Sequence, residues 1–325
     1  MSMEPSVLED RIDTLLAQLT LDEKVAMTAG SGICHTTGVE RLGIPRLKVT
    51  DGPNGARGAA LEGATSACFP CGTALAATWN SELVFEVGAE LGNEVKSKGA
   101  QVLLAPTVNI HRSPLAGRNF ECSSEDPYLS ARMAVAFIQG VASRGAGTSV
   151  KHFVCNDSEF ERMSISSEVG ERALREIYLP PFEAAVREAG TWSVMAAYNA
   201  VNGVAASDHE RLLTRVLKQE WGFDGFVVSD WFGTKSTIGA ANAGLDLEMP
   251  GPPQQRGPKL LAAVREGQVG ESAIDDQVRR LLRISLRAGI FENPEEAPER
   301  AVDTPAQRAL VRRAAGESIV MTNHC

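Results

Sequence analysis

The chain has 325 residues, of which 43% are hydrophobic and 22% are charged, and its formal net charge at pH 7 is −9. This composition permits one large α/β domain or two modest ones, and a negative chain without a run of Lys and Arg is a poor partner for nucleic acid. No stretch reaches the roughly 18 consecutive apolar residues of a membrane-spanning helix, so no membrane partner is expected.

The N-terminus and the cysteines indicate the compartment. The first 14 residues have neither a basic segment nor an apolar core, so no secretory signal is recognisable and a cytoplasmic location is expected. Cys68-Phe69-Pro70-Cys71 has the spacing of a redox or zinc half-site, but no second Cys or His pair follows at zinc spacing. The cysteines are therefore expected to be mostly buried small hydrophobes in a reducing compartment. They are Cys34, Cys68, Cys71, Cys122, Cys155 and Cys325.

In chain order, the first elements are helical. Apolar spacing predicts two helices within residues 6–29, and the capping-box pattern of Thr20–Glu23 starts the second. A short strand over 47–50 leads into Asp51 and a loop rich in Gly, Pro and Asn. Further strands are predicted over 71–79 and 101–110, with a helix between them.

The second half repeats this alternation. Residues 148–153 form a predicted strand that carries Lys151 and His152, and a helix bent at Pro180-Pro181 follows over 170–190. The remaining predicted strands are 193–197, 226–228 and 244–250, and the remaining predicted helices are 211–221, 259–266, 274–288 and 310–316.

Alternating strands and helices are typical of βα units and a parallel sheet. About seven such units favour a (β/α)₈ TIM-type barrel, regular or irregular, because that fold takes about 250 residues. No G-x-G-x-x-G follows the first strand, so nothing favours a dinucleotide-binding fold.

Polar side chains follow the predicted strands where the strands end, and in a parallel barrel those ends form the active-site face. Each has a structural explanation if taken singly. Asp230 could cap the next helix, Lys151 could be a solvated cation, and Arg118 could pair with Glu121 or Glu125. Their joint appearance favours a site. The set comprises Asp51, Arg118, Lys151, His152, Tyr198 and Asp230, with Arg162, Met195 and Trp231 nearby.

These residue types suit a sugar. The charged and imidazole groups can bond vicinal hydroxyls, while Trp231 and Met195 offer apolar surface to a sugar face. A carboxylate such as Asp230 can attack an anomeric carbon and form a glycosyl-enzyme, and nearby cations would keep it ionised. A metal-dependent barrel hydrolase is a weaker alternative, because no H-x-H or comparable ligand cluster is present; no cofactor or metal is expected.

The same segments resemble the N-terminal catalytic domain of glycoside hydrolase family 3, above all its bacterial and fungal β-glucosidases. The similarity covers residues 8–321, and the combination is more specific than any one motif. The matching segments are Thr50–Gly55, Ser113–Pro127, Lys151–Phe153, Met195–Asn199, Trp221–Thr234 and Asn242–Pro250.

The resemblance implies a role for each candidate residue. Asp230 would be the nucleophile of a retaining mechanism, with Trp231 packed beside the sugar and Met195 in the pocket wall. Asp51 would bind the distal hydroxyls of the terminal glucose, and Lys151 with His152 the middle ones. The residues that would line this subsite are Asp51, Arg118, Lys151, His152, Arg162 and Tyr198.

The source of the proton donor is less clear from the sequence. Residues 154–159 lack the His that serves single-domain β-N-acetylhexosaminidases of the family. Multi-domain β-glucosidases take a Glu from a second α/β domain. Residues 1–300 are therefore interpreted as the barrel, and 301–325 as a linker and the start of a truncated second domain. A local substitute among Asp157, Glu159 and Glu161 is the less favoured source.

The sequence thus predicts a retaining, exo-acting β-glucosidase that acts on terminal non-reducing β-D-glucosyl residues of β-glucosides or gluco-oligosaccharides. Its activity is expected to be impaired without the acid/base domain, which a separate polypeptide could supply. A homodimer is the other partner considered, because apolar residues of 310–321 would be left exposed. The alternative function is a sugar-binding protein that retains the pocket without turnover.

Overall fold

The computed structural model describes residues 4–58 and 63–321. The chain divides into two compact units, each built from separate segments. The first unit comprises Met1–Val49, Met163–Glu168 and Trp192–Glu296, and the second comprises Thr50–Arg162, Val169–Thr191 and Ala297–Cys325.

Short strands alternate with helices along the described chain. The strands are β1 (Val49–Asp51), β2 (Val102–Leu104), β3 (Gly147–Phe153), β4 (Ser166–Ser167), β5 (Ser193–Ala196), β6 (Ala200–Val201), β7 (Val204–Ala205) and β8 (Phe226–Ser229). The helices are α1 (Pro5–Gln18), α2 (Leu21–Met27), α3 (Gly72–Ala77), α4 (Ser81–Ser97), α5 (Pro127–Ala142), α6 (Glu171–Ala173), α7 (Pro180–Arg187), α8 (Ile238–Ala243), α9 (Pro258–Arg265), α10 (Glu271–Arg287) and α11 (Pro305–Glu317). Leu174–Tyr178 and Arg211–Glu220 are π-helical.

Several helices begin where the sequence offers a cap. At α2, the Thr20 amide donates to Glu23 Oε2 (2.9 Å) and the Glu23 amide donates to Thr20 Oγ1 (3.3 Å), so the predicted capping box is confirmed. Asn80 and Asp126 accept backbone N–H groups at the starts of α4 and α5. Each cap satisfies a donor that the first turn leaves without an intrahelical partner.

Parallel pairing organises the first unit. Strands β5 and β8 run parallel, with Ser193 opposite Phe226 and Ala196 opposite Ser229, and all their residues are buried. Leu247 bridges to Val228 in the same sense. Strands buried on both faces read as unbroken apolar runs, which is why this part was predictable. The predicted strand over 244–250 is present only as such bridges.

A buried ion pair lies beside strand β8. Lys218 Nζ lies 2.7 Å from Asp246 Oδ1, and the Asp246 side chain has no solvent exposure. The Val227 amide donates to Asp246 Oδ2 at 2.7 Å. Burial raises the pKa of Asp246 and lowers that of Lys218, because it disfavours either charge alone. The opposite charge of each partner, together with the Val227 hydrogen bond, offsets that cost.

In the second unit, β2 and β3 are parallel, with Val102 opposite Gly147 and Leu103 opposite Thr148. Helices α4 and α5 cross closely at two glycines of this unit. A Cβ on Gly140 would lie 2.2 Å from Phe85 O, and one on Gly88 would lie 2.4 Å from Phe137 O. A side chain at either position would therefore force the helices apart.

The C-terminal end of helix α4 also anchors residues 56 and 64–67. Buried Glu94 accepts the amides of Ala56 (3.1 Å) and Ala67 (2.6 Å). One turn later, the fully buried Lys98 donates to the carbonyls of Ala64 (2.6 Å) and Thr65 (2.8 Å). Burial raises the pKa of Glu94 although these amides oppose the shift. The Glu94 carboxylate and the ammonium of Lys98, which directly follows α4, thus hold the backbone of residues 56 and 64–67.

One expected strand is wrong, and the expectation of mostly buried cysteines holds for three of the five described ones. Residues 71–79 were expected to form a strand, but 72–77 form helix α3 because its run of Ala and Leu has high helix propensity. Cys34, Cys122 and Cys155 are buried as expected, whereas Cys68 is exposed and Cys71 is partly exposed, in a segment without regular structure. Burial raises the pKa of the Cys122 thiol to about 12. Cys325 lies outside the described residues.

The predicted α/β class is confirmed by the parallel strand pairs and the helices between them. Among residues 4–58 and 63–321, no helix combines the length and apolarity required to cross a lipid bilayer.

Candidate functional site

In the first unit, Asp230 follows directly after the buried strand β8. Its amide donates to Ala196 O at 3.2 Å, which keeps it in register with the neighbouring strand β5. Its Oδ1 accepts the Trp231 amide at 2.7 Å, and its carbonyl accepts the Gly233 amide at 2.8 Å. The side chain of Asp230 is held at the C-terminal end of a rigid strand pair, where only 8% of the residue is exposed.

The indole after Asp230 is fixed in the same unit. Trp231 Nε1 donates to Ile33 O at 2.9 Å, and the hydroxyl of buried Tyr198 donates to Trp231 O at 2.8 Å. A Cβ on Gly233 would lie 2.9 Å from Asp230 O and 3.3 Å from the Tyr198 ring, so this turn requires a glycine. Met195 lies opposite Val228 in the strand pair and is 2% exposed.

In the second unit, Asp51 and Lys151 contact each other across one hundred residues of sequence. Lys151 Nζ donates to Asp51 Oδ1 at 2.8 Å, and Arg57 Nη1 donates to Asp51 Oδ2 at 3.2 Å. Burial alone would raise the pKa of Asp51, but the charges of Lys151 and Arg57 outweigh it and hold this pKa below its usual value. The carboxylate is therefore ionised at neutral pH.

Arg118 and His152 also lie together in the second unit. Arg118 Nη1 lies 3.3 Å from His152 Nε2, while Arg118 Nε and Nη2 donate to Glu121 at 2.9 and 3.0 Å. The His152 amide donates to Asn109 Oδ1 at 2.9 Å. Burial, followed by the charges of Arg118, Lys151 and Arg162, lowers the pKa of His152 well below its ordinary value, so the imidazole is neutral.

Arg162 lies in the same unit, on the loop after β3. Its Nη1 donates to Glu159 Oε2 at 2.9 Å, and Asn156 Nδ2 donates to Glu159 Oε1 at 3.4 Å. Asp157 on this loop accepts the Tyr178 hydroxyl at 3.2 Å. These contacts give the loop a defined conformation, so its acidic residues are parts of a bonded network.

A cleft of about 530 Å³ opens in the second unit beside Asp51. Its wall includes Arg118, Glu121 and the aromatic ring of Phe120, which is 54% exposed. The lining also includes residues 52–55, 57 and 63–68. A concave surface with convergent charged and amide groups and one exposed ring can bind a polyhydroxylated ligand. Over the described residues, no group of three His, Cys, Asp or Glu side chains is arranged to hold a metal ion.

The structure adds three site residues that the sequence reasoning missed. Arg57 pairs with Asp51, Asn109 holds the backbone of His152, and Glu121 holds Arg118. In the sequence, Glu121 is recognisable only as a possible ion-pair partner of Arg118. Its position three residues after the arginine was the one available signal, whereas Asn109 lies in an irregular stretch where no periodicity indicates its direction.

Comparison with known proteins identifies the family. The chain matches the Glycosyl hydrolase family 3 N terminal domain over residues 20–284. It is 55% identical over 312 residues to a beta-glucosidase of Rhizobium radiobacter, covering 95% of this chain and 38% of that protein. It is 50% identical over 311 residues to the probable beta-glucosidase J of Neosartorya fischeri, covering 95% of this chain and 36% of that protein.

Superposition with solved structures points to the same family. The beta-glucosidase of Kluyveromyces marxianus in complex with glucose is 41% identical and superposes with a TM-score of 0.91, over 94% of this chain and 38% of that one. Beta-glucosidase 3B of Thermotoga neapolitana in complex with glucose is 40% identical with a TM-score of 0.88, over 95% of this chain and 47% of that one.

These comparisons also show how much of its relatives the chain covers. The chain spans a little over a third of the length of the curated relatives it matches. Its α/β architecture is that of the family's TIM-type N-terminal domain, as the superpositions with TM-scores of 0.88 and above show. The chain belongs to glycosyl hydrolase family 3.

Proposed function

We propose that this chain supplies the nucleophile and the glucose-binding groups of a retaining, exo-acting β-glucosidase. The observation that carries the proposal is the position of Asp230, a carboxylate fixed directly after the buried parallel strand β8 with Trp231 following it. In an α/β fold of this class, catalytic groups lie at the C-terminal ends of the strands. The substrates would be β-glucosides or gluco-oligosaccharides with a free non-reducing end.

In this mechanism, the Asp230 carboxylate attacks the anomeric carbon as the glycosidic C–O bond breaks. The departing oxygen takes a proton from a general acid, so that the aglycone leaves as an alcohol or phenol. A covalent glycosyl ester forms, and water then attacks it from the opposite face and restores the β configuration. The hydrogen bond from the Trp231 amide to Oδ1 (2.7 Å) orients the carboxylate before the attack. Because Asp230 follows a rigid strand, little reorganisation is required at the reacting atom.

The second unit supplies groups that suit sugar hydroxyls. Ionised Asp51 accepts hydrogen bonds, Lys151 and Arg118 donate them, and neutral His152 has one acceptor and one donor nitrogen. We assign Asp51 to the distal hydroxyls of the terminal glucose and Lys151 with His152 to the middle ones. Arg162 and Tyr198 complete the proposed subsite, and Met195 belongs to its wall.

The proton donor is proposed to come from outside these 325 residues, from the part of the β-glucosidase relatives that the chain does not span. The acidic loop after β3 is a poor substitute, because Glu159 already pairs with Arg162 and Asp157 accepts from Tyr178.

This proposal predicts that the 325-residue chain depends strongly on the leaving group. General acid catalysis contributes about 10²–10⁴-fold. Glycosylation by 4-nitrophenyl β-D-glucoside, whose phenolate leaves without protonation, should therefore exceed that by an alkyl β-D-glucoside at least about 100-fold. Pre-steady-state release of the two aglycones measures the ratio. Equally high rates on both substrates would show that the chain contains its own acid.

The carboxylates after β3 provide the control for that measurement. If Glu159 or Glu161 donates the proton, Glu159→Gln or Glu161→Gln should abolish alkyl glucoside cleavage and flatten its pH dependence. We expect neither effect, because the proposed proton donor is not one of these carboxylates.

A covalent trap separates the enzyme from a protein that only binds sugar. Incubation with a 2-deoxy-2-fluoro β-glucoside that has a good leaving group should leave one fluoroglucosyl ester, located on Asp230 by mass mapping. Saturable binding without any label would favour the sugar-binding alternative, and a label on another carboxylate would replace Asp230 as nucleophile.

A further inference from the structure

Arg118 and Glu121 form a two-point ion pair on the wall of the cleft. Arg118 donates from Nε to Glu121 Oε1 (2.9 Å) and from Nη2 to Oε2 (3.0 Å). Thr107 Oγ1 donates to the same carboxylate at 3.3 Å. This is the geometry with which an arginine binds a carboxylate through two parallel N–H groups. Glu121 therefore occupies the guanidinium edge that an anionic ligand would use.

The same pairing orients the rest of the guanidinium. Arg118 Nη1 lies 3.3 Å from His152 Nε2, and an arginine can only donate, so Nε2 accepts and the ring proton is on Nδ1. Nδ1 lies 3.4 Å from Asn109 Oδ1, an acceptor that suits this tautomer. Through Arg118, Glu121 thus determines which nitrogen of His152 carries the proton.

We propose that Glu121 is a positioning and specificity-determining residue that closes the arginine edge to the carboxylate of a uronic acid and so directs the cleft to neutral hexoses. A uronoside carries a carboxylate where glucose has its primary alcohol. To reach the Arg118 edge, it must displace Glu121 and approach Asp51, another anion that lines the same cleft. This inference rests on the proposed function, in that the cleft is taken to bind the terminal sugar.

The test compares two sugars that differ in this one group. Calorimetry on the full chain at pH 7 gives the dissociation constants of glucose and glucuronic acid for wild type and for Glu121→Gln. Wild type should prefer glucose. In the variant, this preference should fall by about tenfold or more. The Nε and Nη2 groups of Arg118 are then open to form charge-assisted hydrogen bonds with the uronate. An unchanged ratio would overturn the proposal.

Glu159→Gln is the matched control. It removes the same charge from the same unit, but Glu159 pairs with Arg162 (2.9 Å), whereas Glu121 pairs with Arg118. If both variants shift the ratio equally, net charge alone explains the preference and the role of Glu121 is refuted. A wild-type chain that binds neither sugar contradicts the proposed function as well, whereas glucose binding with an unaltered ratio contradicts only this inference.

A spectroscopic measurement covers the case in which Glu121→Gln does not fold. The ¹⁵N shifts of His152 in the wild-type chain report its tautomer. The Nδ1–H form supports the arrangement, and the Nε2–H form would overturn it, because Arg118 could then not donate to Nε2. Where Glu121→Gln folds, it should lower the share of the Nδ1–H form, which a purely structural residue would not do.

Discussion

Replacing Asp230 by Asn should lower kcat for 4-nitrophenyl β-D-glucoside by at least about 10³-fold, because a neutral amide cannot attack the anomeric carbon. The substitution preserves the size of the side chain and the acceptor oxygen for the Trp231 amide. The dissociation constant for glucose should therefore change little. A chain that retains the trapped fluoroglucosyl ester after this substitution would exclude Asp230 as the nucleophile.

Asp224→Asn provides the matched control for this measurement. Asp224 lies just before strand β8, at the end opposite Asp230, and its ion pair with Arg287 is partly exposed. Ion pairs of this kind contribute little to stability, about 0–1 kcal/mol. Its loss should leave kcat within about twofold of wild type. A comparable loss in both variants would indicate that damage to the strand, and not removal of the nucleophile, lowers the rate.

The second large effect concerns folding. Asp246→Asn should reduce the free energy of unfolding by about 3–5 kcal/mol, because it leaves the ammonium of Lys218 buried without its closest counter-charge. Asp276 lies farther from Lys218, at 3.6 Å, and is 49% exposed, so it compensates only in part. Urea unfolding followed by circular dichroism measures the change through the transition midpoint and slope.

Two further variants show whether charge causes that loss. The double variant Asp246→Asn with Lys218→Met also removes the buried ammonium that would otherwise lack its closest counter-charge. It should therefore recover much of the lost stability. Asp276→Asn removes the outer, half-exposed partner of Lys218 together with its ion pair to Arg280 (2.8 Å), and it should cost clearly less than Asp246→Asn. If Asp246→Asn proved as stable as wild type, the pair would not contribute to folding in its charged form.

The sequence predicted the elements whose pattern is local. The capping box at Thr20, the strand that carries Lys151 and His152, and the apolar run before Asp230 are all present. Each is specified by a few adjacent residues, either through a cap or through an unbroken apolar run. The residue types at these strand ends were also sufficient to suggest a sugar ligand.

What the sequence did not reveal depends on distant contacts. Residues 71–79 were predicted as a strand because the secondary structure of a short apolar run is ambiguous. The high helix propensity of its Ala and Leu residues favours helix α3 instead. The amphipathic pattern of Arg211–Glu220 was recognised as helical, but its π-helical form depends on packing against neighbours. Glu121 and Asn109 became site residues only because folding places them beside Arg118 and His152.

The attachment of residues 56 and 64–67 to the C-terminal end of helix α4 has a consequence for engineering. Buried Glu94 binds the amides of Ala56 and Ala67, buried Lys98 binds the carbonyls of Ala64 and Thr65, and residues 63–67 line the cleft. The lining could therefore be exchanged as a cassette, with new side chains chosen for a different sugar, provided that these two anchors and their backbone partners are kept. Selectivity could then be redesigned without rebuilding the scaffold.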